Sequence, residues 1–409
     1  METKRPKMIL VLNCGSSTLK YSLFDENLKT ISSGNVDKIG SQDACIKILD
    51  SDNLENNELK DIHNIPDHET AIKIVLDNLL KNKIQEKEDI FAVGHRVVHG
   101  GENLTTAVIV DEKVKQEIKR CFELAPLHNP HNLAGILAVE KLLPKAINVA
   151  VFDTAFHHTI PEYAYLYALP YYLHKKYSIR KFGFHGISHQ YVAEKTSEIL
   201  NKPLNKLKLI TCHLGNGCSI TAIKYGNSID TSMGFTPLEG LIMGTRCGDI
   251  DPSIVTYLMT SEGLTINQIN VLLTGQSGLY GISGISNDMR LILEEYSKGN
   301  KRAELAIKMF CYRVKKYIGF YLAVLNSADA IVFTAGIGQN SALIREQCLK
   351  DMSNLGIEID KELNKKLTEG IISSKESKIK VIVIPTNEEY SIAKQVLNPV
   401  KSFKNLTEG

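Results

Sequence analysis

M-I-L-V-L-N-C-G-S-S-T-L-K-Y-S-L-F, residues 8–24, is the stretch that decides the fold. Met8–Leu12 is an unbroken apolar run of strand character. Asn13 to Lys20 supplies a Gly/Ser turn, and Leu19, Tyr21 and Leu23 then alternate with Lys20 and Ser22. Strand, turn, strand is a β-hairpin. Much later the pattern returns. Lys208–Cys212 is apolar, H-L-G-N-G-C-S follows, and Ile220 and Ala222 resume the alternation. Gly217-Cys218-Ser219 can be laid on Gly15-Ser16-Ser17, at an offset of about half the chain. The echo points to an internal duplication, and a duplicated fold has a cleft between its halves.

Working outward, apolar residues at Ile72, Val75, Leu76, Leu79 and Leu80 predict a helix over His68–Asn82. Asp50–Lys60 is polar and reads as a loop. Ile90–Val98 has strand character and runs into H-G-G-E. Asp111–Cys121 and Asn132–Leu143 read as helices, the second stopped by Pro144. Val149–Phe152, Ala330–Phe333 and Lys380–Ile384 are short apolar strands. After the last, P-T-N-E-E opens a helix through Val396, with Asn387 as N-cap and Glu388 and Glu389 in the first turn. Strands alternating with helices give an α/β chain. No linker rich in Pro, Gly or Ser divides it. The expected domains are residues 1–153 with 386–409, the last helix returning to the first domain, and residues 154–385.

A length of 409 residues suits two or three domains. The chain is 43% hydrophobic and 23% charged, an ordinary globular mixture that excludes disorder over most of its length. Lys and Arg number 48 against 46 Asp and Glu, a net charge of +2. That balance argues against a coat for nucleic acid or an anionic membrane. No apolar run approaches the ~18 residues of a membrane span. Cysteines stand at 14, 45, 121, 212, 218, 247, 311 and 348, with no C-x-x-C pair and too thinly spread for a disulfide scaffold. Met1–Lys7 is basic, but Met8–Leu12 is too short for the core of a signal peptide. A cytoplasmic protein with reduced thiols is expected, its Met1–Lys7 a mobile tail.

Several catalytic signatures are missing. No Gly-Lys dipeptide, G-x-G-x-x-G, G-x-S-x-G or H-E-x-x-H occurs. What remains is a set of polar loops at strand ends. N-C-G-S-S-T-L-K offers backbone N–H groups, three hydroxyls and Lys20, which suit phosphate oxygens. H-L-G-N-G-C-S and A-G-I-G-Q-N are built alike. One such loop is most simply a hairpin turn; three at strand ends of a duplicated chain point to a nucleotide site. Arg96, in G-H-R-V-V-H-G-G-E, and Arg246, in M-G-T-R-C-G-D-I-D-P, are guanidinium forks fit for a carboxylate or phosphoryl group, or for ordinary ion pairs. Histidines pair at 95 and 99, 128 and 131, 157 and 158, and 185 and 189. They permit a metal-dependent hydrolase. Against it, His95 and His99 lie on a strand, ~13 Å apart and awkward for one ion. Gly186 after His185 is a poor helix position. Glu388 suits either Mg²⁺ or the N-terminus of its own helix.

Together these segments resemble the acetokinase family. The resemblance rests on V-L-N-C-G-S-S-T-L-K-Y, G-H-R-V-V-H-G-G-E, A-P-L-H-N-P, V-F-D-T-A-F-H, F-G-F-H-G-I-S-H, H-L-G-N-G-C-S, M-G-T-R-C-G-D-I-D-P, T-A-G-I-G-Q-N-S and I-P-T-N-E-E, in order from Asn13 to Glu389. It implies two duplicated actin-like (ribonuclease H-like) ATPase domains with an active-site cleft between them that closes on the substrates. It implies reversible, direct in-line transfer of the γ-phosphoryl group of ATP to acetate, giving acetyl phosphate and ADP.

Residue by residue, the resemblance assigns Mg²⁺, with Mn²⁺ as a substitute, to Asn13 and Glu388. Lys20 contacts ATP. The nucleotide falls to three loops: His213, Leu214, Gly215, Asn216 and Gly217; Asp288, Met289 and Arg290; and Gly336, Ile337, Gly338, Gln339 and Asn340. Arg96 binds acetate or the phosphoryl group, Asp153 is the active-site acid, and His185 and Arg246 stabilise the transition state. Val98, Leu127, Phe184 and Pro237 surround the methyl group. A homodimer through the second domain is implied as well.

Acetate is ionised at pH 7, so the attack needs no general base, and catalysis reduces to positioning and charge neutralisation. On that argument Asp153 orients an Arg or a Mg²⁺-bound water rather than moving a proton. Two positions depart from the family pattern: Gln339 where Glu is commoner, and Thr18 where Ser is usual. The first puts nucleotide preference in question. Three other readings are carried: a propionate or mixed short-chain acid kinase, since one methylene discriminates by only ~1–3 kcal/mol; the metal-dependent hydrolase; and an actin-like ATPase serving protein partners.

Overall fold

Residues 7–50, 58–61 and 64–407 are described by the computed structural model. They form two α/β units, Met1–Ala155 with Asn387–Gly409, and Phe156–Thr386. The expected tail lies outside the described residues except for Lys7. The expected loop at Asp50–Lys60 lies partly outside them, and its ends are strands.

The first unit holds β1 (Met8–Cys14), β2 (Thr18–Phe24), β3 (Thr30–Asp37), β4 (Cys45–Asp50), β5 (Glu58–Asp61), β6 (Ile90–Val97), β7 (Val108–Ile109) and β8 (Ile147–Phe152), ordered β5-β4-β3-β2-β1-β6-β8-β7. The second holds β9 (Lys208–Leu214), β10 (Cys218–Lys224), β11 (Asn227–Thr231), β12 (Ala330–Thr334), β13 (Gly370–Ile371) and β14 (Lys380–Val383), ordered β11-β10-β9-β12-β14-β13. The duplication is visible in the pairing. In β3-β2-β1-β6-β8 the first three strands are antiparallel neighbours and the last two join parallel to β1. The strands β11-β10-β9-β12-β14 repeat that arrangement. This is the duplicated actin-like α/β fold.

The repeat is real, but its register differs from the one the sequence suggests. Gly15 N donates to Thr18 O at 2.8 Å and Gly215 N donates to Gly217 O at 3.1 Å. Gly15 therefore corresponds to Gly215, not Gly217. The first turn is one residue longer, since Cys14 pairs with Leu19 whereas Leu214 pairs with Cys218. Matching glycines by identity cannot see a one-residue insertion.

Strand β1 is apolar without alternation because helices cover both of its faces. On one side Leu10, Leu12 and Cys14 join a core with Ile72, Val75, Leu76 and Leu79 of helix His68–Asn82, the helix predicted over those residues. On the other side lies helix Glu388–Thr407, which packs on β6, β1 and β8. Gly94 makes this close approach possible: a Cβ there would stand 2.7 Å from Val396 Cγ2 and 2.8 Å from Ile392 Cγ2. In the second unit, helix Gly186–Ile199 packs on β9 and β12 through Val192 and Ala193. Each of these two helices comes in the chain after the last strand of one five-strand repeat and packs on the sheet of the other.

Helix ends differ modestly from expectation. Helix Asn129–Leu142 starts three residues before the expected Asn132, because Pro130 at its first turn has no N–H to leave unsatisfied. Asn387 caps the last helix as expected, its Oδ1 accepting from Tyr390 N at 2.9 Å. That helix continues past Val396 and across Pro399 to Thr407. Val400 beyond the proline is buried, which offsets the hydrogen bond lost there.

Candidate active site

In the first unit the predicted residues gather at the carboxyl ends of β1, β6 and β8, where ligands collect in parallel sheets. Leu12 of β1 lies level with His95 of β6, so Asn13 and Arg96 are next in line on the same face. Val97 pairs with Phe152, and Asp153 N donates to Val97 O at 3.0 Å. Alternation turns Arg96 and Asp153 to the side covered by helix Glu388–Thr407, whose first residue is Glu388. Lys20 pairs with Asn13 across the hairpin and is exposed.

Arg96 makes a two-point contact with Asp153, Nε to Oδ1 at 2.9 Å and Nη2 to Oδ2 at 2.7 Å. Its Nη1 lies 3.4 Å from Glu388 Oε2. The Asp153 side chain is 2% exposed and that of Arg96 18%. Burial opposes the Arg96 charge, but Asp153 and Glu388 outweigh it and hold its pKa above the ordinary value. Burial pushes the Asp153 carboxyl up, and Arg96 pulls it back. Both Asp153 oxygens accept from the guanidinium, the pattern of an ionised carboxylate. Of the two roles open to Asp153, orienting an arginine is the one this geometry favours.

The ends of these strands are tied together by two asparagines. Asn132 Oδ1 accepts from Val98 N at 3.1 Å while its Nδ2 donates to Cys14 O at 2.7 Å. Asn129 Oδ1 accepts from His99 N at 3.0 Å and its Nδ2 donates to His99 O at 2.9 Å. Both lie in or beside the quoted H-N-P segment, but nothing in the sequence says which loop each would hold. Val98 is buried by these bonds, whereas Leu127 is exposed.

In the second unit a cavity of about 460 Å³ is lined by Gly215, Asn216, Asn287, Asp288, Met289, Arg290, Leu293, Gly336, Ile337, Asn340 and Ser341. All three expected nucleotide segments meet there. In the first, His213 and Leu214 end β9 and only Gly215–Gly217 form a turn. Asp288 caps helix Met289–Ser297, and Ala335–Asn340 is itself a short helix entered through Ala335 at φ +63°. That left-handed residue turns the chain from β12 directly into the helix. His213, Leu214, Gly217, Gly338 and Gln339 do not line the cavity. Gly338 packs on the sheet instead, and the carbonyls of Gly338 and Gln339 accept from Arg345 Nη1 at 3.0 and 2.6 Å. The nucleotide assignment from sequence missed Asn287 and Ser341, although each adjoins an assigned segment, and Leu293, which lies one helical turn after Met289.

Beside the cavity wall, His185 and Arg246 converge on Gly217. A Cβ on Gly217 would lie 3.4 Å from His185 Nε2 and 3.7 Å from Arg246 Nη1. His185 caps helix Gly186–Ile199 at φ +56°, a strained left-handed conformation of the kind kept at functional sites. Gly186 thus opens a helix, contrary to the expectation from its low propensity, because the cap already turns the chain. The His185 ring stacks on His213 with centroids 4.1 Å apart.

Arg246 Nη1 donates to Pro237 O at 3.1 Å and to Met243 Sδ at 3.8 Å. Among the described residues Arg246 has no carboxylate partner, and burial lowers its pKa below the ordinary value. Its loop is fastened to the Gly215–Gly217 turn by Gly244 N donating to Asn216 O at 2.9 Å. A Cβ on Gly244 would fall 1.8 Å from Asn216 Oδ1, so any side chain there would push the Asn216 amide aside. Phe184 is buried, its carbonyl accepting from His157 Nε2 at 3.0 Å.

Two of the other histidines are held by hydrogen bonds of their own. His95 Nε2 meets Asn148 Oδ1 at 2.8 Å, and His157 Nδ1 meets Ser228 Oγ at 2.9 Å. Burial pushes both down to about 4, so both are neutral at pH 7. Among the described residues no group of three His, Cys, Asp or Glu is placed to hold a metal ion. All eight cysteines are free thiols.

The acetokinase family model matches residues 8–394. The acetate kinase of Caldicellulosiruptor bescii is 54% identical over 394 residues, 95% of this chain and 98% of that protein. The crystal structure of Porphyromonas gingivalis acetate kinase superposes with a TM-score of 0.90 at 44% identity, covering 96% of this chain and all of that one. That of a propionate kinase from Francisella tularensis also gives 0.90, at 43% identity over 96% and 99% of the two chains.

Proposed function

The chain belongs to the acetokinase family, and on that premise we propose that it is a phosphotransferase moving the γ-phosphoryl group of ATP reversibly to acetate, giving acetyl phosphate and ADP. The observation that carries the chemistry is Arg246: a half-buried guanidinium with no carboxylate partner among the described residues, converging with His185 on one point. A cation held there against the cost of burial calls for an anion. The adjoining cavity, about 460 Å³ with helix N-termini and a glycine turn in its wall, suits ATP.

Each residue then has a physical task. Arg96, aligned by Asp153, binds the acetate carboxylate or the transferring group. Arg246 and His185 neutralise charge on the equatorial oxygens as it redistributes. Acetate attacks as the anion, so no side chain need take its proton. The oxygens of Asn13 and Glu388 fit Mg²⁺, which prefers hard donors, keeps several waters and uses one or two protein ligands beside phosphates. When bound, the ion supplies neutralising charge at the phosphate oxygens. Exposed Leu305, Met309, Tyr312, Phe320 and Val324 form a stripe along helix Lys301–Leu325. They support a homodimer through the second unit, which analytical ultracentrifugation reads directly. No helix among the described residues is long and apolar enough to cross a membrane. With eight free thiols and ATP as substrate, we place the enzyme in the cytoplasm.

Acyl phosphate formation from ATP with acetate, propionate and butyrate tests the reading. The highest kcat/KM is expected for acetate. A clear preference for propionate, the substrate class of the Francisella neighbour, would overturn the choice of acceptor. In the same assay Gly336→Leu is expected to raise KM for ATP about tenfold, roughly 1.4 kcal/mol, with KM for acetate unchanged. A Cβ at Gly336 meets no atom within 4 Å, so the added side chain enters the cavity without disturbing the fold. An unchanged KM for ATP would show that the nucleotide binds elsewhere.

A further inference from the structure

Four groups of the second unit lie on one hydrogen-bonded line. Thr211 Oγ1 is 2.7 Å from His189 Nδ1, His189 Nε2 is 2.7 Å from Ser219 Oγ, and Ser219 Oγ is 2.9 Å from His185 Nδ1. Thr211, His189 and Ser219 are fully buried. Resting on the function proposed above, we propose that Thr211, His189 and Ser219 are positioning residues that hold the neutral His185 ring with its proton on Nε2, aimed at the space it shares with Arg246.

Ser219 has one hydroxyl proton and sits between two ring nitrogens, so it donates to one and accepts from the other. His189 is neutral, since burial drives its pKa well below the ordinary value, with His157 and His213 adding to the effect. It therefore has one N–H and one bare nitrogen. The line consequently has two arrangements and no mixture. In the first, Thr211 donates to His189 Nδ1, His189 Nε2–H donates to Ser219, and Ser219 donates to His185 Nδ1. The His185 proton is then on Nε2. In the second every bond reverses, the His185 proton moves to Nδ1, and the Thr211 hydroxyl proton must point away from the line.

Thr211 decides between them. Among the described residues its hydroxyl has no other hydrogen-bond partner. The second arrangement would leave a fully buried O–H donor unsatisfied, which folded proteins avoid. The first leaves only an acceptor lone pair unused. A buried threonine remote from the reacting atoms thus sets which face the catalytic imidazole turns to the phosphoryl group. With the proton on Nε2, His185 donates beside Arg246. With it on Nδ1, a lone pair would oppose the oxygens that Arg246 attracts.

Ring-nitrogen NMR of the full-length ¹⁵N-histidine-labelled enzyme at pH 7 tests this without substrate. The expected signature for His185 is a protonated Nε2 and a bare Nδ1. The opposite tautomer or a doubly protonated ring would overturn the proposal. Thr211→Val keeps the shape and removes the proton. It is expected to lower kcat about tenfold, less than the ~10²–10³ of deleting a donor outright. KM for ATP and acetate should hold within about threefold, and the His185 spectrum should shift toward the other tautomer. Thr211→Ser restores both. A Thr211→Val enzyme with unaltered kcat and an unaltered His185 spectrum refutes the relay. If that variant does not fold, the wild-type spectrum decides alone. If the wild-type enzyme forms no acyl phosphate, the assigned function fails, while the spectrum still reports the tautomer.

Discussion

Arg246→Ala is expected to lower kcat by ~10³–10⁵, the range that an arginine acting on a transferring phosphoryl group supplies. KM for ATP and acetate should change little, and the thermal midpoint should stay close to that of the wild type. The reason lies in what Arg246 does not touch. Among the described residues its Nη1 donates to the Pro237 carbonyl, at 3.1 Å, and the Met243 sulfur, at 3.8 Å, and to no carboxylate. Removing the guanidinium strands no buried charge. It costs the fold one hydrogen bond to a neutral carbonyl, about 0.5–1.5 kcal/mol. Burial already pushes the Arg246 pKa down, so the charge is held at a cost that the ground-state structure does not return. An anion that gains charge in the transition state returns it. Arg246→Lys should recover part of the loss, because it restores the charge without the planar fork. Steady-state kinetics beside a thermal melt checks the pair, and wild-type turnover in the alanine variant would remove Arg246 from the chemistry.

Much of this was legible in the sequence, for identifiable reasons. Strands such as Met8–Leu12 and Ala330–Phe333 are apolar because helices cover both faces, and such runs announce themselves without alternation. Helix His68–Asn82 declares its boundaries through periodicity, and Asn387 declares the last helix through its side chain. The Arg and His positions stand out because they sit in glycine-flanked loops. The remainder depends on contacts far apart in sequence. Nothing local distinguishes Asn132, which bonds Cys14 118 positions away, from Asn103 on the surface. Nor does a sequence say that Ser219 serves two imidazoles, or that Gly338 packs against the sheet while Gly336 opens to the cavity. Helix Gly186–Ile199 forms despite its leading glycine because His185 adopts a left-handed cap, a tertiary decision that overrides local propensity. The repeat register slipped for a related reason: β-pairing, not residue identity, fixes which turn positions correspond.

Arg96→Ala should also cost ~10²–10³ in kcat, as expected for one lost charge-neutralising donor, but with a second effect that Arg246→Ala lacks. Arg96 bonds both oxygens of Asp153 and lies 3.4 Å from Glu388. Its removal leaves the Asp153 carboxylate, 2% exposed, without a cation. Breaking a buried pair from one side costs about 3–5 kcal/mol, so this variant should melt distinctly lower. The pH dependence has a definite sign. Burial already pushes the Asp153 carboxyl up, and Arg96 is what pulls it back. Without Arg96 the folded chain keeps a proton on Asp153 that the unfolded chain releases. Stability should therefore fall as pH rises above the usual carboxylate range, and the deficit against wild type should be smaller at pH 5 than at pH 8. Adding Asp153→Asn removes the stranded charge. The double variant should regain most of the lost melting temperature at pH 8 and none of the lost kcat. A single variant that melts like wild type at both pH values would mean that Asp153 is solvated or otherwise paired. A double variant that regains turnover would mean that Arg96 serves only to neutralise Asp153, and the acetate clamp would have to be sought elsewhere in the first unit.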